Sequence, residues 1–213
     1  MTIWLASYPR SGNTFFRILL NQVYDLKTYS LYDDDLFTKS ENLHQFSKVI
    51  GYNQLPSWSE MASSTQPFII KTHYLPFDEH PAIYLVRDGR DVLVSYAHYI
   101  LSFSDSRSGW KTKAHKLLSL IGFNQYNRVL KNLIINGPNG GWSQHVDQWN
   151  QRSNTVTLKF EDLVKNPVEQ VEKSLQIIGL PKLSQESQNK DFTFSELHSK
   201  YPMSLNCINQ DSY

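Results

Sequence analysis

Ile3-Trp4-Leu5-Ala6-Ser7-Tyr8-Pro9-Arg10-Ser11-Gly12-Asn13-Thr14-Phe15-Phe16-Arg17 is the stretch that decides how this chain is read. An apolar run, a short polar turn and a second apolar run reaching Tyr24 predict a strand, a tight loop and a helix. Such a junction aims the N–H groups of a helix N-terminus at any anion above the turn. Gly12 permits close backbone approach, while Ser11, Asn13 and Thr14 add short hydrogen-bonding groups. Arg10 brings a permanent charge in a fork suited to phosphate or sulfate oxygens. The stretch is an anion cradle. It lacks the Gly-x-x-x-x-Gly-Lys-Ser/Thr of kinase and ATPase loops, a pattern found nowhere else in the chain. No aspartate placed to hold magnesium closes a predicted strand.

Outward from the cradle, residues 3–7, 68–72, 82–86 and 155–160 read as buried strands, being apolar and partly β-branched. Helical spacing fills the intervals. In the first helix only Arg17, Asn21 and Gln22 break the apolar surface, so most of it must be covered. Residues 91–103 place Val92, Tyr96, Tyr99 and Phe103 along one face, and 167–178 repeat Val168, Val171, Leu175 and Ile178. The second pattern has marked ends: Asn166 as N-cap, Pro167 in the first turn, Glu169 at the capping-box position and Gly179 beyond the end. Alternating strands and helices predict an α/β fold, a central parallel sheet flanked by helices on both faces. Ligands of such sheets bind beyond the carboxyl ends of the strands, where Arg10, His73 and Arg87 all fall. Two polar, weakly periodic segments, 29–64 and 102–141, are expected to be substrate-facing lids, the second containing the loop Asn136-Gly137-Pro138-Asn139-Gly140-Gly141.

With 213 residues, 40% of them hydrophobic, the chain suffices for one well-packed core, and a single domain over 1–213 is expected. The 21 basic and 20 acidic side chains nearly cancel, which argues against a nucleic-acid-coating protein. The single cysteine, Cys207, excludes an intrachain disulfide and fits a reducing compartment. No apolar run approaches the roughly 20 residues that span a bilayer, and no secretory leader is seen, so a cytoplasmic location is expected. Asp33-Asp34-Asp35 reads as a solvated charge run. His145 and Asp147 lie two apart on a predicted helix and share no face, so no metal is expected. Glu161 and Asp162 suit hydrogen bonds that fix a loop better than an acid/base pair.

Two further stretches carry chemistry. Ile70-Lys71-Thr72-His73-Tyr74-Leu75-Pro76 is a strand ending in a lysine and a histidine. In Tyr84-Leu85-Val86-Arg87-Asp88-Gly89-Arg90-Asp91-Val92-Leu93-Val94-Ser95-Tyr96 a strand ends in arginine and a serine follows in the next helix, a pair suited to a second phosphate. Together with the cradle they resemble the sulfotransferases that use 3′-phosphoadenosine-5′-phosphosulfate (PAPS). Residues 7–15 are similar to that family's 5′-phosphosulfate loop and 86–96 to its 3′-phosphate motif. Gly141-Trp142-Ser143-Gln144-His145-Val146-Asp147-Gln148-Trp149 resembles a Trp-containing helix after the substrate loop. Phe160-Glu161-Asp162-Leu163 with Asn166-Pro167 resembles the Tyr-Glu-Asp-Leu…Asn/Asp-Pro segment.

The resemblance implies a P-loop NTPase-like fold and a metal-free transfer of the sulfuryl group from PAPS to a hydroxyl or amine of a small-molecule or carbohydrate acceptor. It implies that Arg10, Ser11, Gly12, Asn13 and Thr14 hold the 5′-phosphosulfate, with Arg10 stabilising the leaving group. Arg87 and Ser95 would hold the 3′-phosphate, while Phe15 and Phe194 offer faces to adenine. His73 matches the general base and Lys71 a lysine that stabilises charge near the transferring group. Three departures stand out: Arg10 where cytosolic members have lysine, Phe160 where a tyrosine helps hold adenine, and an end at Tyr213 before the Arg-Lys-Gly segment expected over the 3′-phosphate. A P-loop-type small-molecule kinase, or a catalytically weak nucleotide-binding module without that cover, are the competing readings.

Overall fold

The computed structural model describes residues 1–32, 46–106 and 125–180, with only the backbone course of 103–106. Five strands, β1 (Thr2–Ser7), β2 (Thr28–Ser30), β3 (Phe68–Thr72), β4 (Ala82–Val86) and β5 (Thr155–Lys159), form one parallel sheet in the order β2-β3-β1-β4-β5. Besides a helical turn at 46–49, the helices among the described residues are α1 (Asn13–Tyr24), α2 (Trp58–Ser63), α3 (Gly89–Ser106), α4 (Gln125–Asn136), α5 (Gly141–Asn150), α6 (Phe160–Lys165) and α7 (Pro167–Ile177). A short 3-10 turn, Pro138–Gly140, leads into α5.

The near-continuous apolar character of β1 follows from burial on both faces. Ile3 and Leu5 join α1 and α7 in the larger core cluster, with Ile69 of β3 and Ile83 and Leu85 of β4. Trp4 and Ala6 point the other way, into a second cluster with Ile70, Tyr84, Met61 and Trp149. The period-two alternation of a strand therefore distributes one segment between two cores. Asn13, residues 15–20 and Val23 of α1 are all buried, as the apolar run requires. Arg17 is buried too, at 2% exposure. Its Nε donates to Thr28 Oγ1 at 2.8 Å and its guanidinium lies 5.9 Å from the Tyr52 ring centre.

Several expectations are corrected. The strand predicted over 155–160 ends at Lys159, and Phe160 opens α6. A short edge strand, β2, stands at the head of the segment read as aperiodic, because three residues are too few to display a period. The segment 102–141, expected to be a lid, contains the last turn of α3 and the whole of α4. Asn166 precedes α7, but its side chain makes no capping bond; the helix relies on Pro167 in its first turn. Gly179 does follow the helix in a left-handed conformation, φ 83°, its N–H on the Gln176 carbonyl. Asp33-Asp34-Asp35, Phe194, Cys207 and the terminal residues lie outside the described residues. None of the described helices is long and apolar enough to cross a membrane.

Candidate active site at the carboxyl edge of the sheet

Register fixes the site. Ala6 pairs with Thr72 and Ser7 with Leu85, so the cradle after Ser7 emerges between His73 on one side and Val86–Arg87 on the other. Two left-handed residues curl the loop: Arg10 at φ 73° and Gly12 at φ 97°. A non-glycine residue in that region costs energy and is concentrated at functional sites. Loops curled this way form anion-binding concavities from their main-chain N–H groups. Gly12 is the N-cap of α1 and contributes no capping side chain. Ser11 is 1% exposed and its hydroxyl has no hydrogen-bond partner among the described residues. A buried, unpartnered donor inside such a loop suits an anionic ligand.

Asn13 departs from its expected role. Its Nδ2 donates to the Leu5 carbonyl at 3.1 Å and to Ser7 Oγ at 3.3 Å, so its amide secures the end of β1 rather than facing outward. Thr14 follows in the first turn of α1 and is partly exposed. Phe15 is also turned inward. It has 0% exposure and belongs to the larger core cluster, so its ring offers no open face to a base. As the third residue of α1, it points toward the sheet.

His73 stands just beyond β3. Its Nδ1 lies 2.7 Å from the carbonyl oxygen of Ser7 and 3.3 Å from Ser7 Oγ. A carbonyl only accepts, so Nδ1 carries the proton and Nε2 keeps its lone pair. Burial, followed by the nearby Lys71 charge, lowers the His73 pKa to about 3, so the ring is neutral at physiological pH. Tyr32 stacks on it with centres 5.8 Å apart and accepts the His73 main-chain N–H. The Lys71 ammonium lies 5.5 Å over the same Tyr32 ring, and Tyr74 is 5.2 Å from it. Lys71, His73 and an aromatic wall are thus brought together.

On the opposite flank, Arg87 is 7% exposed. Its guanidinium lies 4.9 Å over the Phe160 ring and 3.8 Å from the Asp91 carboxylate. Phe160 fills the space between that guanidinium and Gly12, where an added Cβ would overlap its ring. Trp142 packs on Gly89, at which a Cβ would come within 2.8 Å of the indole, and donates to the Arg87 carbonyl at 3.2 Å. The Glu161 carboxylate accepts the Asp88 N–H at 3.2 Å, the loop-fixing role expected of that residue type. Ser95 and Arg10, assigned to different phosphates, meet: Arg10 Nε donates to Ser95 Oγ at 3.2 Å, and the guanidinium lies 4.9 Å over Tyr99. Ser95 therefore links the two expected subsites.

A family model described as "Sulfotransferase domain" matches residues 1–211. The chain belongs to that family. Human sulfotransferase 4A1 is 28% identical over 190 residues, which are 84% of this chain and 60% of that protein. The sulfotransferase domain described here thus spans about 60% of the length of that curated relative. Among solved structures, mouse sulfotransferase SULT7A1 complexed with PAP is similar with a TM-score of 0.54 at 18% identity, covering 100% of this chain and 68% of that one. Retinol dehydratase in complex with androsterone and inactive cofactor PAP is similar with a TM-score of 0.53 at 21% identity, covering 96% and 66%. These likenesses establish the P-loop NTPase-like sulfotransferase fold. No group of three or more metal-ligating side chains occurs among the described residues.

Tyr32, Tyr84, Asn139, Trp142 and His145 were not singled out as site residues from the sequence. One signal was present. His145 and Trp149 are four apart, and so share a face of α5, as His145 and Asp147 do not.

Proposed function

We propose that this sulfotransferase domain transfers the sulfuryl group of PAPS to a hydroxyl or amine of a small acceptor. The observation that carries the reading is the Ser7 carbonyl on His73 Nδ1, which leaves Nε2 unprotonated beside the curled cradle. His73 Nε2 takes the acceptor's proton as the acceptor oxygen or nitrogen forms its bond to sulfur. The bond from sulfur to the 5′-phosphate oxygen breaks, and the negative charge passes to the released nucleotide. Arg10, Lys71 and the cradle N–H groups stabilise that charge without a metal, as preorganised electrostatics do in related phosphoryl transfers. The imidazolium is held by the same Ser7 carbonyl, now joined by the anionic donor.

Arg87, seated on Phe160, is assigned the 3′-phosphate together with Ser95. The buried Ser11 hydroxyl supports an anion in the loop. Tyr32 and Tyr74 beside His73 favour a flat apolar alcohol or phenol over a strongly hydrated acceptor. Transfer from radiolabelled PAPS to a panel of phenols, alcohols, amines and sugars tests the proposal, with calorimetry of the desulfated nucleotide, PAP, alongside. Labelled product is expected. Absence of both product and PAP binding overturns the reading, and tighter binding of ATP–magnesium than of PAP would favour a kinase.

A further inference from the structure

Beyond the strand end, the main chain at His73 and Tyr74 has no sheet neighbour to hold it, yet a general base needs a fixed ring. The carbonyl oxygen of His73 accepts two side-chain donors: Asn139 Nδ2 at 2.6 Å and His145 Nε2 at 3.1 Å. The next carbonyl, of Tyr74, accepts Trp149 Nε1 at 3.0 Å. His145 and Trp149 lie on one face of α5, and Asn139 belongs to the turn that enters it, so one supersecondary unit grips consecutive carbonyls.

His145 is 0% exposed, so both ring nitrogens need partners. Since the His73 carbonyl only accepts, His145 carries its proton on Nε2. Its Nδ1 is then an acceptor, and Tyr84 Oη, at 3.0 Å and itself 0% exposed, must donate to it. Tyr84 therefore fixes which face of the imidazole presents N–H to His73. The same ring lies edge-on to Tyr8 at the start of the cradle, with centres 5.5 Å apart.

We propose that Tyr84, His145 and Asn139 are positioning residues for the general base, acting through the His73 carbonyl to hold its imidazole against Ser7 and its Nε2 toward the acceptor. This rests on His73 being the base. A small displacement of a reacting group costs about 10²-fold in rate, which sets the scale of the effect. His145→Gln keeps an N–H donor at the needed reach, whereas His145→Leu does not. Tyr84→Phe removes the tautomer lock and leaves Nδ1 without its donor. Asn139→Gly removes one donor while suiting the left-handed backbone at that position, φ 54°.

Steady-state transfer from radiolabelled PAPS to a phenol, run beside isotope-edited imidazole NMR of His73, tests it. His145→Leu and Tyr84→Phe should each lower kcat by about 10- to 100-fold with KM for PAPS little changed. Combining them should add little, because they act as one unit. His145→Gln should recover most of the rate, and Asn139→Gly should lower it while the chain remains folded. Wild-type kcat and an unmoved His73 spectrum in His145→Leu and Asn139→Gly overturn the inference, Asn139→Gly deciding alone if the leucine variant does not fold. An inactive parent chain would instead overturn the proposed transfer, and the His73 spectra of the same variants would still decide the positioning role.

Discussion

Phe160 lies directly against the Cα of Gly12, joining the first residue of α6 to the N-cap of α1. The contact closes the gap between the cradle and the seat of Arg87. Two constraints meet at Gly12: its φ of 97° disfavours any side chain, and the ring leaves no room for one. Gly12→Ala should therefore lower stability by about 1–3 kcal/mol and weaken PAP binding together. Denaturant unfolding and calorimetry on the same sample check both, and intact PAP affinity would contradict the role of the cradle.

Arg87 has a distinct signature. If it holds the 3′-phosphate, Arg87→Gln should weaken PAP binding by about 10- to 100-fold, the scale of a lost charge-assisted bond. Binding of adenosine 5′-phosphosulfate, which lacks that phosphate, should hardly change. Equal losses for both ligands would mean that the arginine shapes the site instead.

Phe160 invites a substitution that adds rather than removes. The resemblance places a tyrosine hydroxyl here on adenine, and Phe160→Tyr should strengthen PAP binding by the ~1 kcal/mol of one hydrogen bond, several-fold in affinity. The Arg87 stack should survive, since the ring is kept. Isothermal calorimetry at matched pH reads the difference.

His73→Ala should reduce transfer by about 10²- to 10⁴-fold without unfolding the chain. A base must be neutral to accept a proton, and the folded pKa of about 3 keeps it neutral well below the ordinary histidine value. The acid limb of kcat/KM should accordingly fall below pH 6.5 rather than at it. A pH–rate profile with a limb at 6.5 would contradict the neutral ring.

The same burial acts on stability. His145 titrates at about 4 in the folded chain, lowered by burial, against an ordinary value of 6.5. Between those values the unfolded chain binds the extra proton, so stability is full above pH 6.5 and falls as pH drops toward 4. The loss approaches about 1.4 kcal/mol per pH unit for one such imidazole within that window. Thermal unfolding from pH 7 to pH 4.5 should show the decline, and His145→Gln should remove the share of this imidazole while leaving that of His73.

Strands and helices with strong periods were legible in the residues themselves. β1, β3 and β4 announce themselves because both faces are buried, and α1 because its apolar surface is nearly continuous. β2 was not legible, being three residues long, nor was α4, whose exposed Ile134 and Ile135 blur its polar face. The strand-end residues Arg10, His73 and Arg87 could be placed at one edge of the sheet from pattern alone. Their partners could not. Arg10 reaching Ser95, and Asn139 reaching the His73 carbonyl across 66 positions, depend on how loops return over the sheet. Asn13 and Phe15 show the complementary limit, since motif position says which residue is present and helix phase decides whether it faces ligand or core.

The placement of β1 between β3 and β4 makes the sheet a ruler. His73 hangs from one neighbour of β1 and Arg87 from the other, so two interstrand spacings, together roughly 10 Å, separate their strand ends. That span is written in main-chain hydrogen bonds, which side-chain substitution leaves unaltered. The surrounding loops can change while the gauge between His73 and Arg87 stays the same.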